Sequence, residues 1–144
     1  MKVATKMQIK QCPKCKQHLP LTDFVKHSGY KDGLSWGCKS CHNQWNTERF
    51  NRRKQMVFDA YGCECHFCGE SNPIFLTIDH INGDGKQHRQ RCHNNRAIYA
   101  DIIKEGCPKD KYRLLCFNCN CALAIYGQDA VCEAVEIRIF GCKL

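Results

Sequence analysis

Residues 75–81 read Phe-Leu-Thr-Ile-Asp-His-Ile, and residues 114–120 read Leu-Leu-Cys-Phe-Asn-Cys-Asn. The first stretch is apolar and rich in β-branched residues, which predicts a strand over residues 74–81, and its polar end is the pair Asp79 and His80. A carboxylate suits a hard cation such as Mg²⁺, and a neutral histidine is the usual side chain for taking a proton from water near pH 7. The pair therefore suggests metal-assisted hydrolysis.

Two Cys-x-x-Cys pairs bracket this strand, one before it and one after it. Their cysteines are Cys65, Cys68, Cys116 and Cys119. Paired cysteines at this spacing are typical of a tetrahedral four-thiolate zinc site. Such a site is structural, and it would hold Asn120, the next residue along the chain, beside Asp79 and His80.

The ordered combination of Cys-x-x-Cys, Asp-His and Leu-Cys-x-x-Cys-Asn resembles the HNH, or ββα-metal, nucleases, and it is similar to the phage recombination endonuclease VII family. The resemblance covers roughly residues 65–127, under half of the chain. It implies zinc on the four bracketing cysteines, a catalytic Mg²⁺ on Asp79 and Asn120, and His80 as the general base. It also implies hydrolysis of DNA to a 3′-hydroxyl and a 5′-phosphate.

The fold class expected from these motifs is α+β, with a small zinc-stabilised ββα-metal (HNH, or His-Me finger) core and an N-terminal Cys₄ zinc ribbon. The expected order is a ribbon at 1–43, a connecting basic helix at 44–62, the nuclease core at 63–127 with an insert at 82–113, and a C-terminal packing or dimerisation segment at 128–144.

The N-terminal ribbon rests on a second set of paired cysteines. They are Cys12, Cys15, Cys38 and Cys41. Phe24, Tyr30 and Trp36 can pack its minimal core or contact bases, and we favour packing because so small a ribbon has few other apolar residues. Its lysines are expected to meet phosphates.

A helix is expected from His42 to about Tyr61, because this stretch contains no proline or glycine and Gly62 follows as a stop signal. It carries a run of basic side chains, namely Arg49, Arg52, Arg53 and Lys54. Two interpretations of that run stay open, a DNA-facing stripe and an ordinary solvated face.

The second strand is expected at 112–116, paired with residues 75–80, and a helix is expected at 117–126, ending at Gly127. Strict alternation along the first strand would send Asp79 and His80 to opposite faces, so we expect a twist or bulge at its end. Asn120 would lie in the first turn of the helix. Its alternative role is capping that helix.

The insert opens on the turn signal Asn-Gly-Asp-Gly, and a basic cluster follows. Within the cluster, His88 and Arg89 are candidates for clamping the scissile phosphate or the flanking backbone. Residues 95–105 predict a packing helix whose apolar face carries Ile98, Ile102 and Ile103.

Six cysteines lie outside the two paired sets. Cys63 competes with Cys65 as a ligand, but the Cys-x-x-Cys spacing favours Cys65. Cys92 and Cys107 are expected to be ordinary thiols, the alternative being a third metal site with His88 or His93. The remaining three are expected to be small buried apolar residues: Cys121, Cys132 and Cys142.

Fourteen cysteines in 144 residues imply that disulfide bonds or structural metal ions stabilise the fold. The charged N-terminus lacks the apolar run of a signal peptide, and no stretch approaches the length of a membrane span. We therefore expect the reducing cytoplasm of a bacterial or phage-infected cell, no membrane partner, and metal-bound thiolates in place of disulfides. Two four-thiolate zinc sites lower the formal charge from +8 to about +4, which still favours a polyanionic partner.

The expected function is a metal-dependent DNA endonuclease. It would be either site-specific, like restriction and homing enzymes, or structure-specific, like junction-resolving enzymes, and RNA is not excluded as a target. Cutting two strands with one active site per chain favours a homodimer, with residues 128–144 as the contact or as a core helix. The alternative is a non-catalytic zinc-ribbon DNA-binding or regulatory protein on the nuclease scaffold.

Overall fold

The computed structural model describes residues 8–92 and 94–140, and it has the mixed α+β character that the sequence predicts. The strands are β1 (Ile9–Gln11), β2 (His18–Pro20), β3 (Phe24–Lys26), β4 (Leu34–Cys38), β5 (Leu76–His80) and β6 (Tyr112–Cys116). The helices are α1 (Lys39–Tyr61), α2 (Gly85–Cys92), α3 (Asn95–Lys104), α4 (Phe117–Tyr126) and α5 (Gln128–Phe140), and a single 3₁₀ turn covers Leu21–Asp23.

The chain divides into two compact units, Met1–Asn51 and Arg52–Leu144. The finer division into ribbon, connecting helix, core and C-terminal segment stays a prediction. No helix within 8–92 and 94–140 is long and apolar enough to cross a bilayer.

The first unit consists of two antiparallel hairpins, β1 with β2 and β3 with β4. Its buried centre is small and is made largely of cysteines, and among residues 8–51 Phe24 is the buried aromatic side chain. The predicted core role is therefore correct for Phe24 and wrong for Tyr30, which is 41% exposed and packs edge-on against His27. Trp36 is half-buried and lies against His42 and Trp45.

Helix α1 confirms the predicted helix and begins slightly earlier, at Lys39. It ends where Gly62 takes φ = 92°, a left-handed conformation that glycine adopts without steric cost and that stops a helix. In the second unit its Val57 and Phe58 are buried, so tertiary packing stabilises this part of the helix.

The second unit is centred on a ββα arrangement. Strands β5 and β6 pair antiparallel in an unbroken register, from Leu76 opposite Cys116 to His80 opposite Tyr112, and α4 follows β6 directly. These pairs confirm the predicted strand pairing and the predicted helix. The bulge expected at the end of β5 is wrong, because Asp79 opposite Arg113 and His80 opposite Tyr112 continue the regular ladder.

The core of this unit consists of two buried clusters. Phe58, Leu76, Leu114 and Leu115 form one buried cluster with the second group of paired cysteines. Ile98 and Ile102 of α3 form another with Val57 and Tyr112, which confirms the predicted packing helix. Fully burying an aliphatic or aromatic side chain of this size stabilises a fold by about 1.5–3 kcal/mol.

Helix α2 was not expected, because the sequence there is short, polar and preceded by a turn signal. The C-terminal cysteines also differ from expectation, since Cys121 is exposed and Cys132 is only half-buried. In α5, Val131 is buried and Val135 packs on the core, which agrees with the core-helix interpretation of this segment. The side chains of Ile139 and Phe140, and the whole of Cys142, lie outside the described residues.

Candidate active site and metal centres

The eight paired cysteines form the two groups that the sequence predicts, and each group could hold a metal ion. Within each group all four sulfur atoms lie within 4.8 Å of one another. The Sγ–Sγ distances are 3.9 Å for Cys12 with Cys41 and 3.7 Å for Cys68 with Cys116. A tetrahedral zinc ion with Zn–S bonds of about 2.3 Å requires sulfur separations of about 3.8 Å, so both groups have the size of a zinc site.

The protonation of the first group also fits a bound cation. Backbone N–H groups of Cys15 and Cys38 lower the pKa of Cys12 to about 6, which favours its thiolate. Burial raises the pKa of Cys41 to about 12, followed by hydrogen bonds with the neighbouring cysteines and, as the smallest effect, by the charge of the Cys12 thiolate. A dication removes this conflict and allows all four sulfurs to ionise.

The second group is joined to the ββα unit through Cys116, which is the N-cap of α4. Its Sγ accepts a hydrogen bond from the Cys119 backbone N–H at 3.3 Å. Cys63 is not part of the group, because its thiol lies 3.4 Å from the Asp59 carboxylate, and this agrees with the predicted choice of Cys65.

His80 ends β5 with its two ring nitrogens in different surroundings. Its Nε2 lies 2.8 Å from Nδ1 of His88, and its ring packs edge-on against Tyr112. Its Nδ1 faces the first residue of α2, since a Cβ atom built on Gly85 would lie 3.0 Å from that nitrogen. Burial, and secondly the neighbouring His88, lowers the pKa of His80, so its imidazole is neutral near pH 7.

His88 differs from its expected role. Its side chain is 3% exposed, and its second nitrogen, Nε2, lies 3.1 Å from Oδ2 of Asp101. Because both ring nitrogens already have partners inside the protein, the predicted contact of His88 with phosphate is wrong. Asp101 in turn accepts a 2.8 Å hydrogen bond from Arg91.

Arg89 keeps the role that the sequence suggests as a candidate. It is exposed on α2, and its Nη1 lies 3.5 Å from the position that a Cβ on Gly85 would occupy. The guanidinium of Arg89 and the Nδ1 of His80 therefore both lie beside Gly85.

Asp79 is engaged in an ion pair. Its Oδ2 accepts a 2.9 Å hydrogen bond from Nε of Arg113, the residue opposite it on β6, and both side chains are about 15% exposed. The guanidinium carbon of Arg113 also lies 4.9 Å from the centre of the Phe67 ring. Asp79 and His80 thus have separate sets of partners, as regular strand alternation requires.

Asn120 lies in the first turn of α4, as predicted. The capping alternative is wrong, because Cys116 is the N-cap of this helix. Within the described parts of the chain, no hydrogen bond joins Asn120 to Asp79.

A third group of metal-ligand type comprises His88, Cys92 and Asp101. It offers three donors, and the Arg91 guanidinium occupies the same Asp101 oxygen at 2.8 Å, which disfavours a second cation there. Cys107 is not part of this group, and His93 lies outside the described residues.

Sequence reasoning missed Asp101 and Gly85 as parts of the site, and it placed Arg91 in the basic cluster expected to meet phosphate without its pairing to Asp101. Asp101 looks like an ordinary polar position of an amphipathic helix, and only the packing of α3 beside α2 brings it to His88. Comparisons of the chain with protein-family models, with curated proteins and with solved structures find no match.

Proposed function

We propose that the chain is a metal-dependent endonuclease that hydrolyses phosphodiester bonds in DNA, with His80 as the general base. The observation that carries the proposal is the arrangement around His80. One ring nitrogen is held by a buried partner, and the other lies beside Gly85, close to the Arg89 guanidinium. A neutral, oriented imidazole beside an exposed guanidinium suits activation of water next to a phosphate.

The proposed reaction is a displacement at phosphorus. Nδ1 of His80 takes a proton from water as the water oxygen forms its bond to phosphorus. The bond from phosphorus to the leaving 3′-oxygen breaks, and that oxygen takes a proton from solvent. The products carry a 3′-hydroxyl and a 5′-phosphate, and Arg89 contacts the phosphate oxygens.

Asp79 and Asn120 are the residues that we propose for Mg²⁺. Their carboxylate and amide oxygens are ligands of the kind that Mg²⁺ prefers, and they belong to β5 and α4 of the same ββα unit. When bound, the ion would neutralise phosphate charge and stabilise the leaving oxygen. Arg113 uses one oxygen of Asp79, so the other oxygen is the one left for a metal.

We propose zinc for the two four-cysteine groups, in a structural role. DNA is the proposed substrate because the chain is basic, with a formal charge of +8 before any zinc is counted. Cleavage could be site-specific or structure-specific, and a homodimer would allow both strands to be cut.

A second candidate function follows from the ion pair between Asp79 and Arg113. In a non-catalytic DNA-binding or regulatory protein on this scaffold, the carboxylate of Asp79 would be neutralised by arginine and would bind no metal.

A cleavage assay distinguishes the two candidate functions. Zinc-loaded protein is incubated with supercoiled plasmid, a four-way junction and single-stranded RNA, with Mg²⁺ present and with Mg²⁺ omitted. Mg²⁺-dependent cutting of plasmid or junction supports the nuclease, whereas DNA binding without cutting supports the regulatory protein.

A substitution at Gly85 tests whether the space beside Nδ1 is used. Gly85 begins α2 without a positive φ, so alanine is tolerated by the backbone and should leave the melting temperature unchanged or raised. Its methyl group would meet Nδ1 of His80 at 3.0 Å and displace the imidazole or the attacking water. We expect Gly85→Ala to reduce the cleavage rate by about 10–100-fold, because small misplacements of reacting groups are costly.

The matched control for this substitution is Gln87→Ala, an exposed position on the same helix whose side chain forms no hydrogen bond to His80 or Arg89 within the described residues. Cleavage rates are measured under single-turnover conditions. Equal rates for wild type and Gly85→Ala would show that the reacting atoms do not occupy this space.

A further inference from the structure

The side chains of His80, His88 and Asp101 form a continuous line of polar contacts that leads from the sheet into the insert. The distances are 2.8 Å from His80 Nε2 to His88 Nδ1 and 3.1 Å from His88 Nε2 to Asp101 Oδ2. We propose that Asp101 and His88 are positioning residues that fix His80 in the tautomer protonated at Nε2, which leaves Nδ1 as the nitrogen that accepts the proton. The catalytic part of this inference rests on the proposed function.

The direction of the hydrogen bonds is set at Asp101. A carboxylate only accepts hydrogen bonds, so the facing Nε2 of His88 must carry a proton. Asp101 stays ionised because the hydrogen bond from Arg91 holds the pKa of its carboxyl below the usual range. Arg91 also neutralises the carboxylate, so His88 does not need a positive charge to compensate it.

The position of the proton on His88 determines the position of the proton on His80. Arg91 already supplies the positive charge beside Asp101, so the relay takes His88 as a neutral imidazole. In a neutral imidazole one nitrogen donates and the other accepts, so with the proton on Nε2 the Nδ1 of His88 accepts. The hydrogen on Nε2 of His80 therefore points at His88, and Nδ1 of His80 keeps a free lone pair facing Gly85.

Other groups near His88 make longer contacts that leave this direction unchanged. The Tyr112 hydroxyl lies 3.4 Å from His88 Nδ1 and 3.4 Å from Glu105 Oε2, and it can donate to the glutamate. Burial raises the pKa of Tyr112 to about 12, so the hydroxyl keeps its proton. The Cys92 thiol lies 3.8 Å from Asp101 Oδ2, and Lys111 pairs with Glu105.

The tautomer can be measured without any catalytic assay. Zinc-loaded full-length protein is labelled with ¹⁵N at histidine, and the His80 signals are identified by their loss in His80→Gln. We expect the wild-type spectrum to report a proton on Nε2 of His80 and a bare Nδ1. A spectrum with the proton mainly on Nδ1 would overturn the inference.

Asp101→Ala tests the relay by removing the acceptor. Arg91 and Nε2 of His88 both contact Oδ2 of Asp101, and alanine leaves Nε2 of His88 without a carboxylate to donate to. His88 is then no longer held with its proton on Nε2, so the direction of its hydrogen bond with His80 is no longer set. We expect the NMR signals of both histidines to report a mixture of tautomers, and kcat to fall by about 10–100-fold with KM nearly unchanged.

Glu105→Gln is the matched control, because Glu105 lies near the C-terminal end of the same helix and contacts Arg91 and Tyr112 without contacting His88. We expect it to keep the wild-type tautomers, kcat and zinc content. An Asp101→Ala protein in which both histidines keep their wild-type tautomers would refute the relay. So would a third zinc ion that Asp101→Ala removes, because Asp101 would then be a metal ligand.

Failure of this inference can be told apart from failure of the proposed function. If wild type cuts no nucleic acid but shows the expected tautomer, the relay stands and the nuclease assignment fails. If wild type cuts DNA but His80 is protonated on Nδ1, the nuclease assignment stands and the relay fails.

Discussion

His80→Ala should remove DNA cleavage, with a rate reduction on the order of 10²–10⁴-fold, and should leave DNA affinity nearly intact. His80 is the residue that supplies a ring nitrogen to the space beside Gly85 and Arg89, and the neighbouring His88 is buried with both nitrogens engaged. Alanine removes the proton acceptor without altering either four-cysteine group. Single-turnover cleavage, DNA binding by fluorescence anisotropy and zinc content per chain are the measurements.

His66→Ala is the control for this prediction. His66 is exposed, its ring packs on Phe67, and it lies between two cysteines of the second group without joining that group. We expect it to retain wild-type cleavage. A fully active His80→Ala protein would end the assignment of His80 as the base and, with it, the mechanism proposed for this chain.

Cys116→Ser should unfold the second unit and reduce the zinc content from two ions to one. Binding of structural zinc contributes about 10–16 kcal/mol in small domains, which matches or exceeds the about 5–15 kcal/mol stability of a whole domain. Cys116 also caps α4 and lies in the buried core, so three stabilising roles meet at one residue. Zinc quantification and thermal unfolding followed by circular dichroism measure the effect.

The remaining zinc ion in that variant should belong to the first unit, which contains the other four-cysteine group. Cys121→Ser is the control, because Cys121 is an exposed thiol on the same helix and lies outside both groups. We expect this control to melt like wild type. A Cys116→Ser protein that stays folded with two bound zinc ions would refute the zinc assignment.

The elements that local sequence determines were predicted well. Helix α4 begins after Cys116 and ends at Gly127 as expected, because a glycine in the left-handed region stops the helix that the preceding apolar residues form. The grouping of eight cysteines into two sets is confirmed for the same reason, since the Cys-x-x-Cys spacing already brings each pair together.

The features that depend on tertiary packing were not predicted. Asp101 and His88 lie 13 residues apart on two different helices, so no local pattern relates them. The sequence does not predict the burial of His88, because the residues of α2 are polar and a polar segment is expected to be exposed to solvent. The bulge was expected on the assumption that Asp79 and His80 reach the same phosphate. The regular ladder instead gives each its own partner, Arg113 for Asp79 and His88 for His80.

The pairing of β5 with β6 across the α2–α3 insert bears on how such a core can diversify. The entropy of closing a loop rises only slowly with its length, by about 0.6 kcal/mol for each doubling. An insertion between these two strands is therefore tolerated at little thermodynamic cost, provided that the strand register and the cysteine group survive. In this chain the segment between β5 and β6 also carries His88 and Asp101. The segment whose length can change at the lowest free-energy cost is therefore also the segment that contacts His80, the proposed base. Variation in insert length would then alter proton transfer before it altered the fold.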